Sequence, residues 1–258
     1  MSDTLRAEWT KLRTAPGFSW LLIAAVAVTV GLGAAADAGA RCAAAGCNQD
    51  AVKTSLIGVY LGQVIVAILA VTVIGSEYNT GMIRTTFAAM PRRSQVLAAK
   101  GMLVAASSLV VGVVGIGGSL LVARFMLPGR GFNAHNGYSS LSLSDAATAR
   151  AALGSVLYLA LVSLLSLGLT AAVRDSAVGI GLALGLLFVF PILIAAVSNQ
   201  HWQRHLEQIA PMNAGLVVQS TIHLDDPVIG PWAGLGVVAL WAAGSLILGG
   251  SVLRLRDA

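Results

Sequence analysis

The sequence predicts an all-α integral membrane protein in which an N-terminal helix on the membrane surface precedes six transmembrane helices. Of its 258 residues, 57% are hydrophobic and only 10% are charged, whereas soluble domains have about 25% charged residues. Six stretches each supply the ~20 mostly apolar residues that a helix needs to cross a bilayer. Such sparse charge also excludes a disordered chain and a nucleic-acid-binding protein.

The segment that precedes the first span, residues 2–14, has the pattern of an amphipathic helix. Leu5, Trp9 and Leu12 are spaced i, i+4, i+7 and therefore share one helix face. We interpret the segment as a helix lying on the inner leaflet, with a frayed basic N-terminus as the alternative. Five of its residues are assigned to the membrane interface: Leu5, Trp9, Lys11, Leu12 and Arg13.

The predicted spans account for about half of the chain, so we expect one transmembrane domain over residues 1–258. They lie at residues 18–36, 55–75, 101–123, 151–173, 177–197 and 231–252. With the N-terminus placed in the cytoplasm, ten Lys and Arg residues flank the spans on the inner side and six on the outer side. This excess predicts that both termini are cytoplasmic. A cleaved signal peptide is disfavoured because the first apolar run is too long.

Residues 76–100, between the second and third spans, form a longer and more apolar loop than a plain cytoplasmic connection. Ile83, Phe87 and Met90 are spaced i, i+4, i+7, which predicts a short helix with an apolar face. An exposed apolar face on the cytoplasmic side of a membrane protein suggests that a partner docks there.

The outer loops contain the other residues with chemical interest. Cys42 and Cys47, the only two cysteines, lie in the first outer loop. A disulfide is favoured there over free thiols, because the compartment is oxidising, and two thiols alone make a poor metal site. In the last outer loop, residues 198–230, His201 and His205 share a helix face, but no third ligand is set by spacing. We therefore expect an interfacial segment and no metal site.

Several motifs that would indicate an enzyme or a carrier are absent from the sequence. It contains neither an H-E-x-x-H nor a G-x-x-x-x-G-K-[ST] motif. The centres of the predicted spans hold no ionisable residue, whereas ion-coupled carriers usually keep one on their pathway. The chain is therefore not expected to be an ATPase, and any ATP-driven activity needs another polypeptide.

Two segments resemble the permease (transmembrane) subunit of type-2 ABC exporters of actinobacterial kind. They are Glu-Trp-Thr-Lys-Leu-Arg-Thr at 8–14, and Glu-Tyr-Asn-Thr-Gly-Met-Ile-Arg at 77–84 with Pro-Arg-Arg at 91–93. The resemblance in topology extends over the whole chain. It implies a permease of the bacterial plasma membrane that holds no cofactor itself. Its partners would be a separate P-loop ATPase subunit, which binds ATP and Mg, and a second permease copy, identical or paralogous.

The same resemblance implies roles for two loops. Residues 76–100 resemble the loop that carries the coupling helix, which sits in a cleft of the ATPase, and residues 198–230 resemble a pair of short re-entrant helices. By that likeness the ATPase-coupling positions are Glu77, Gly81, Ile83, Arg84, Thr85, Thr86, Phe87, Met90, Arg92 and Arg93. For Arg92 and Arg93, anchoring to lipid headgroups is the alternative.

The resemblance and the composition together predict a function. We expect this chain to form the translocation pathway of an ATP-driven exporter. Because the spans carry few charges, its substrate would be apolar or amphipathic, such as a drug, a lipid or a hydrophobic peptide. A non-transporting membrane anchor or sensor, a channel and an ion-coupled carrier are the alternatives.

Overall fold

The computed structural model describes residues 2–42, 48–89, 93–136, 138, 141–222 and 228–255, and no strand occurs in these ranges. The helices are α1 Ser2–Thr14, α2 Pro16–Gly39, α3 Ala51–Ser55, α4 Val59–Asn79, α5 Met82–Ala89, α6 Arg93–Met126, α7 Ala146–Val173, α8 Ser176–Ala196, α9 Gln200–Ile209, α10 Pro211–Leu216 and α11 Pro231–Leu255. Short 3-10 turns lie at Pro128–Arg130, Ala134–Asn136 and Val217–Gln219.

Six of these helices are long and apolar enough to cross a membrane, namely α2, α4, α6, α7, α8 and α11. They confirm the predicted all-α, multi-pass fold, although three helices begin four or more residues from the predicted start. Helix α7 begins at Ala146 rather than at residue 151. Helix α4 begins at Val59 rather than at residue 55, because α3 and a turn precede it. Helix α6 begins at Arg93, well before residue 101, so Lys100 lies inside a membrane helix rather than in a loop.

The bundle is built around α7, which packs against α4, α6, α8 and α11. In the most apolar 18-residue stretch of α7, 67% of the residues are buried, whereas the share is 22% in the corresponding stretches of α2 and α8. Tyr158 and Leu159 of α7 are fully buried in the main core, where Val66 of α4 and Val238 of α11 contact the same cluster. The peripheral helices therefore expose apolar side chains, as expected where lipid is the solvent.

The two ends of the bundle differ in their short helices. One end of the bundle, which we call the proximal end, contains α1, α5 and the last turn of α11. There α1 contacts the beginning of α6, and α5 contacts the end of α4. The distal end carries α3, α9 and α10. At the distal end α10 is almost entirely buried and packs against α11 and α8, so this segment enters the bundle rather than lying on its surface.

Candidate functional site

Four charged side chains from three helices meet at the proximal end, and we call them the ion cluster: Glu8 and Lys11 of α1, Glu77 of α4 and Lys100 of α6. The Lys100 Nζ atom donates to Glu8 Oε2 at 2.5 Å and to Glu77 Oε1 at 2.8 Å. The Lys11 Nζ atom donates to Glu8 Oε1 and to Glu77 Oε1, both at 3.0 Å. The charges alternate around a closed ring and sum to zero.

The ion cluster is largely removed from solvent. Glu8 and Lys100 are each 1% exposed and Glu77 is 3% exposed, whereas the side chain of Lys11 is 38% exposed. Burying single charges costs several kcal/mol each unless opposite charges and hydrogen bonds replace water. Here every member contacts two opposite charges, and Lys100 Nζ also donates to the Val73 carbonyl at 3.3 Å. The geometry is thus that of a compensated buried network, and loss of one member leaves an unpaired charge.

The orientation of α1 follows from this ion cluster rather than from its apolar stripe. The buried positions are Thr4, Glu8 and Leu12, spaced i, i+4, i+8, whereas Trp9 is half exposed. The predicted stripe and the observed one therefore share only Leu12. Because Lys100 is buried opposite α1, the helix turns Glu8 inward and leaves Trp9 at the bundle surface, where an indole suits a membrane interface.

Helix α5 is attached to the ion cluster through a hydroxyl group. Lys11 Nζ lies 3.3 Å from Thr86 Oγ1, which itself donates to the Met82 carbonyl at 3.2 Å. Ile83 is buried at 5% exposure, so the interpretation that it belongs to an exposed apolar face is wrong. Its side chain is turned toward the bundle, and the described side chains that α5 exposes are Met82 and Thr85.

A single glycine allows α5 to follow α4 so closely. Gly81 has φ +71°, in the left-handed region that side chains other than glycine rarely adopt. Its amide donates to the Tyr78 carbonyl at 3.1 Å, which closes the turn. Of the other predicted coupling positions, Met90 and Arg92 lie outside the described residues, as do the side chains of Arg84 and Phe87.

Two arginines join further elements at the proximal end. Arg93 Nη1 donates to the Leu253 carbonyl and Arg174 Nη2 to the Val252 carbonyl, both at 2.9 Å. These carbonyls belong to the last turn of α11, where carbonyl groups have no hydrogen-bond donor within their own helix. Arg93 therefore has a structural role in fixing the end of α11.

The pKa values of the two α1 members reflect their partners. Burial alone raises the pKa of the Glu8 carboxyl, but the nearby Lys100 and Lys11 outweigh it and hold the pKa below its ordinary value. Burial lowers the pKa of the Lys11 ammonium, but hydrogen bonds to Glu77 and Glu8 outweigh it and raise the pKa above its ordinary value. Both groups therefore stay charged over a wide range around neutral pH.

The distal end has a buried polar group of another kind, which we call the amide cluster: Gln63 of α4, Tyr158 of α7 and Met212 of α10. The Tyr158 hydroxyl donates to Gln63 Oε1, and Gln63 Nε2 donates to Met212 Sδ at 3.3 Å. Beside it a cavity of about 610 Å³ opens between α4, α8 and α10, with Tyr60 and Pro191 in its wall. Neutral hydrogen bonds thus hold α10 against the core.

The sequence comparison identifies the family. The family model described as ABC-2 family transporter protein matches residues 4–191, from α1 into the second half of α8. The chain belongs to this family. Among curated proteins, nothing matches the chain significantly. This ABC-2 permease is therefore a membrane component of an ABC transporter, and its family implies an ATPase partner subunit.

Some of the residues predicted to lie in outer loops of this ABC-2 permease are described. Cys42 is disulfide-bonded, and Cys47 lies outside the described residues. The Nε2 atoms of His201 and His205 are 3.2 Å apart on the exposed face of α9. In the part of the chain that the structure describes, no three His, Cys, Asp or Glu side chains are grouped to hold a metal ion. The absence of a metal site stays a prediction.

Sequence reasoning missed two members of the ion cluster in this ABC-2 permease, Glu8 and Lys100. The sequence does contain a signal for Lys100. Val96, Lys100 and Val104 are spaced i, i+4, i+8 and form one buried stripe of α6. A lone lysine at such a position needs an acidic partner from another helix. The sequence does not say which acid supplies it, because Glu8 is 92 residues away.

Proposed function

We propose that this ABC-2 permease forms one half of the translocation pathway of an ATP-driven exporter, and that a separate ATPase subunit docks on α5. The observation that carries the proposal is the ion cluster. It joins α1, α4 and α6 to one another, and α5 contacts it through Thr86. A displacement of α5 therefore moves two membrane helices and the surface helix together.

The docking surface of the proposal lies on the solvent-facing side of α5. Met82 is 45% exposed and Thr85 is also exposed, while Ile83 and Thr86 are turned toward the bundle. One helix thus has a face for a partner and a face for the permease. The partner binds and hydrolyses ATP with Mg, and this chain supplies no group to that reaction.

Transmission from α5 has two routes. The first is the tight turn at Gly81, which leads directly into α4. The second passes from Thr86 through Lys11 to the two buried glutamates, and from them to Lys100 of α6. Pairs of opposite charges about 3 Å apart in a dry site are costly to separate, so the cluster moves as one unit. Nucleotide binding shifts the inward-open and outward-open states only if the ATPase contacts α5 differently in each.

The pathway in this proposal lies between two permease copies, at α8. Gly181 and Gly185 lie four residues apart on α8, and a Cβ atom at either glycine would meet nothing within 4 Å. The helix also exposes Val178, Leu182 and Val189. Small residues permit close helix approach within a membrane. An apolar seam of this kind suits an apolar or amphipathic substrate, and the distal cavity beside α8 is its exit.

The proposal places the proximal end in the cytoplasm of a bacterium, with both termini inside. The excess of Lys and Arg near this end supports that orientation. Export then means movement from the proximal end, or from the leaflet around it, to the distal end.

The experiment begins with affinity purification of the full chain from its native membrane in a mild detergent, followed by mass spectrometry. We expect a P-loop ATPase to co-purify. Met82→Asp should reduce its recovery about tenfold, as expected when an exposed apolar contact at an interface is lost. Leu143→Asp, which changes an exposed apolar side chain at the distal end, is the matched control and should change nothing.

The purified complex is then reconstituted in vesicles, and ATP-dependent transport of an amphipathic fluorescent dye is measured. Uptake into vesicles whose proximal end faces outward supports export. Full ATPase recovery with Met82→Asp would show that α5 is not the docking site. An ATPase that binds but drives no movement of any amphipathic probe would favour a non-transporting anchor instead.

A further inference from the structure

A second feature of the proximal half lies away from the ion cluster and from α8. Helices α6 and α11 both pack along α7 but contact each other little, so a groove of about 800 Å³ opens between them. Leu164 of α7 lies at its floor. The groove walls are almost wholly apolar, and they include Ala98, Gly101, Met102, Leu246, Ile247 and Gly250.

The length of this groove matches one leaflet of a bilayer. From Ser94 to Ala105 it follows α6 for about 16 Å, at 1.5 Å per residue. Half of the hydrocarbon core of a bilayer measures about 15 Å. An apolar groove of that length, open on the lipid side of a membrane helix pair, has the dimensions of a single acyl chain.

A cationic side chain lies at the proximal end of the groove. Arg254, on the last turn of α11, is exposed and lines the groove. It makes no hydrogen bond or ion pair within the described part of the chain. The hydroxyl-bearing residues Ser94 and Ser251 line the same end. Arg93 differs from Arg254, because its guanidinium group donates to the Leu253 carbonyl.

We propose that this groove is a binding site for an anionic phospholipid, with one acyl chain between α6 and α11 and the phosphate group on Arg254. Charge complementarity selects the occupant, because among the described residues that line the groove the only charged group is a cation at headgroup depth. The groove includes no residue of α4 or α8, so the inference does not rest on the proposed pathway. The bound lipid fills the groove between α6 and α11.

Two glycines of the groove allow it to be closed by substitution. A Cβ atom at Gly250 would have its nearest neighbour, a Leu97 methyl group, at 3.7 Å. At Gly101 the nearest neighbour would be a Leu164 methyl group at 3.6 Å. Both are ordinary van der Waals distances, so a larger side chain at either site extends into the groove without displacing backbone.

The test uses the full chain in mild detergent and native mass spectrometry with added palmitoyl-oleoyl phosphatidylglycerol or the matching phosphatidylcholine. We expect the wild-type chain to retain one phosphatidylglycerol in preference to phosphatidylcholine. Gly250→Leu should abolish this retention, and Arg254→Gln should weaken it about fivefold, as expected for one juxtamembrane cation. Gly244→Leu, at an exposed glycine of α11 with open space around it, and Arg204→Gln, at an exposed position of α9 at the distal end, are the controls.

The outcomes separate the parts of the proposal. Equal retention of the two lipids, unchanged in Arg254→Gln, would overturn the headgroup assignment. Retention that persists in both Gly250→Leu and Gly101→Leu would overturn the groove assignment and indicate loosely associated lipid only. Arg254→Gln changes an exposed side chain, so it keeps the test decisive even if a leucine variant fails to fold.

Discussion

The two ends of the bundle use different chemistry for the same structural task. At the proximal end the ion cluster holds the surface helix α1 against α4 and α6 with four full charges. At the distal end the amide cluster holds α10 against α4 and α7 with neutral groups. Charged pairs in a dry site resist separation, whereas neutral hydrogen bonds between membrane helices average only about 0.6 kcal/mol. The comparison indicates a proximal end that moves as one body and a distal end whose contacts can break one at a time.

The largest effect is expected from Lys100→Met. This variant leaves Glu8 and Glu77 buried with only Lys11 to compensate them. Removing one partner from a buried ionic network typically lowers the free energy of unfolding by about 3–5 kcal/mol. Unfolding of the purified chain by SDS titration in mixed micelles measures the loss. Lys53→Met, at an exposed position of α3, is the control.

The double variant Lys100→Met with Glu8→Gln tests whether charge balance, rather than volume, causes that loss. It leaves the pair of Lys11 and Glu77, whose charges cancel. We expect it to recover most of the stability that Lys100→Met loses. If the double variant is less stable than the single one, the ion cluster does not act through charge balance, and the contrast between the two ends disappears.

The next effect concerns close packing at the distal end. A Cβ atom at Gly234 of α11 would lie 2.0 Å from the Ala214 carbonyl oxygen of α10, which is backbone and cannot rotate away. Gly234→Ala should therefore lower the free energy of unfolding by about 2 kcal/mol, as overpacking usually does. Gly236→Ala, two residues along the same helix, meets nothing within 4 Å. Equal stability of the two variants would show that α10 does not approach α11 this closely.

A smaller effect is expected within the amide cluster. Tyr158→Phe removes the hydroxyl that donates to Gln63 Oε1 and leaves that oxygen without its donor. The loss in unfolding free energy should be about 1 kcal/mol, in the range measured for hydrogen bonds between membrane helices. The same SDS titration gives the value. A loss as large as that of Lys100→Met would remove the distinction between rigid and separable ends.

The smallest effect is on the pH dependence of stability. The pKa of Glu8 is below its ordinary value of 4.5. Its contribution to the free energy of unfolding is therefore present above that pH and is lost as the pH falls through the pKa of the folded state. The pKa of Lys11 is above its ordinary value of 10.5, so its contribution is lost as the pH rises through the folded value. The unfolding midpoint, measured against pH, should be flat in between.

Comparison of Glu8→Gln with the wild-type chain isolates the acidic limb of that profile. The variant should lose less stability than the wild type between pH 5 and the acid end of the titration, since it has no carboxyl to protonate at this position. An unchanged acidic limb would mean that Glu8 is not a charged member of the ion cluster.

Much of the candidate site was predictable, but not its centre. The helix at α5 follows from local spacing, and the family resemblance singled out Glu77 and Thr86 as coupling positions. Lys11 was assigned to the membrane interface, whereas the structure pairs it with Glu8 and Glu77. The sequence misassigned Ile83, because periodicity identifies an apolar face without saying whether that face is turned toward a partner or toward the chain's own bundle.

The sequence by itself determined the membrane class, the six spans, the short helices α1 and α5 and the absence of an ATPase motif. Each of these depends on composition or on spacing within about 30 residues, which a reader of the chain sees directly. Only the tertiary structure decided that Glu8 meets Lys100, that α1 buries Thr4, Glu8 and Leu12 rather than its predicted apolar stripe, and that α6 and α11 leave a groove. Those facts depend on how helices distant in sequence pack on α7, and no local sequence pattern indicates the free energy of that packing.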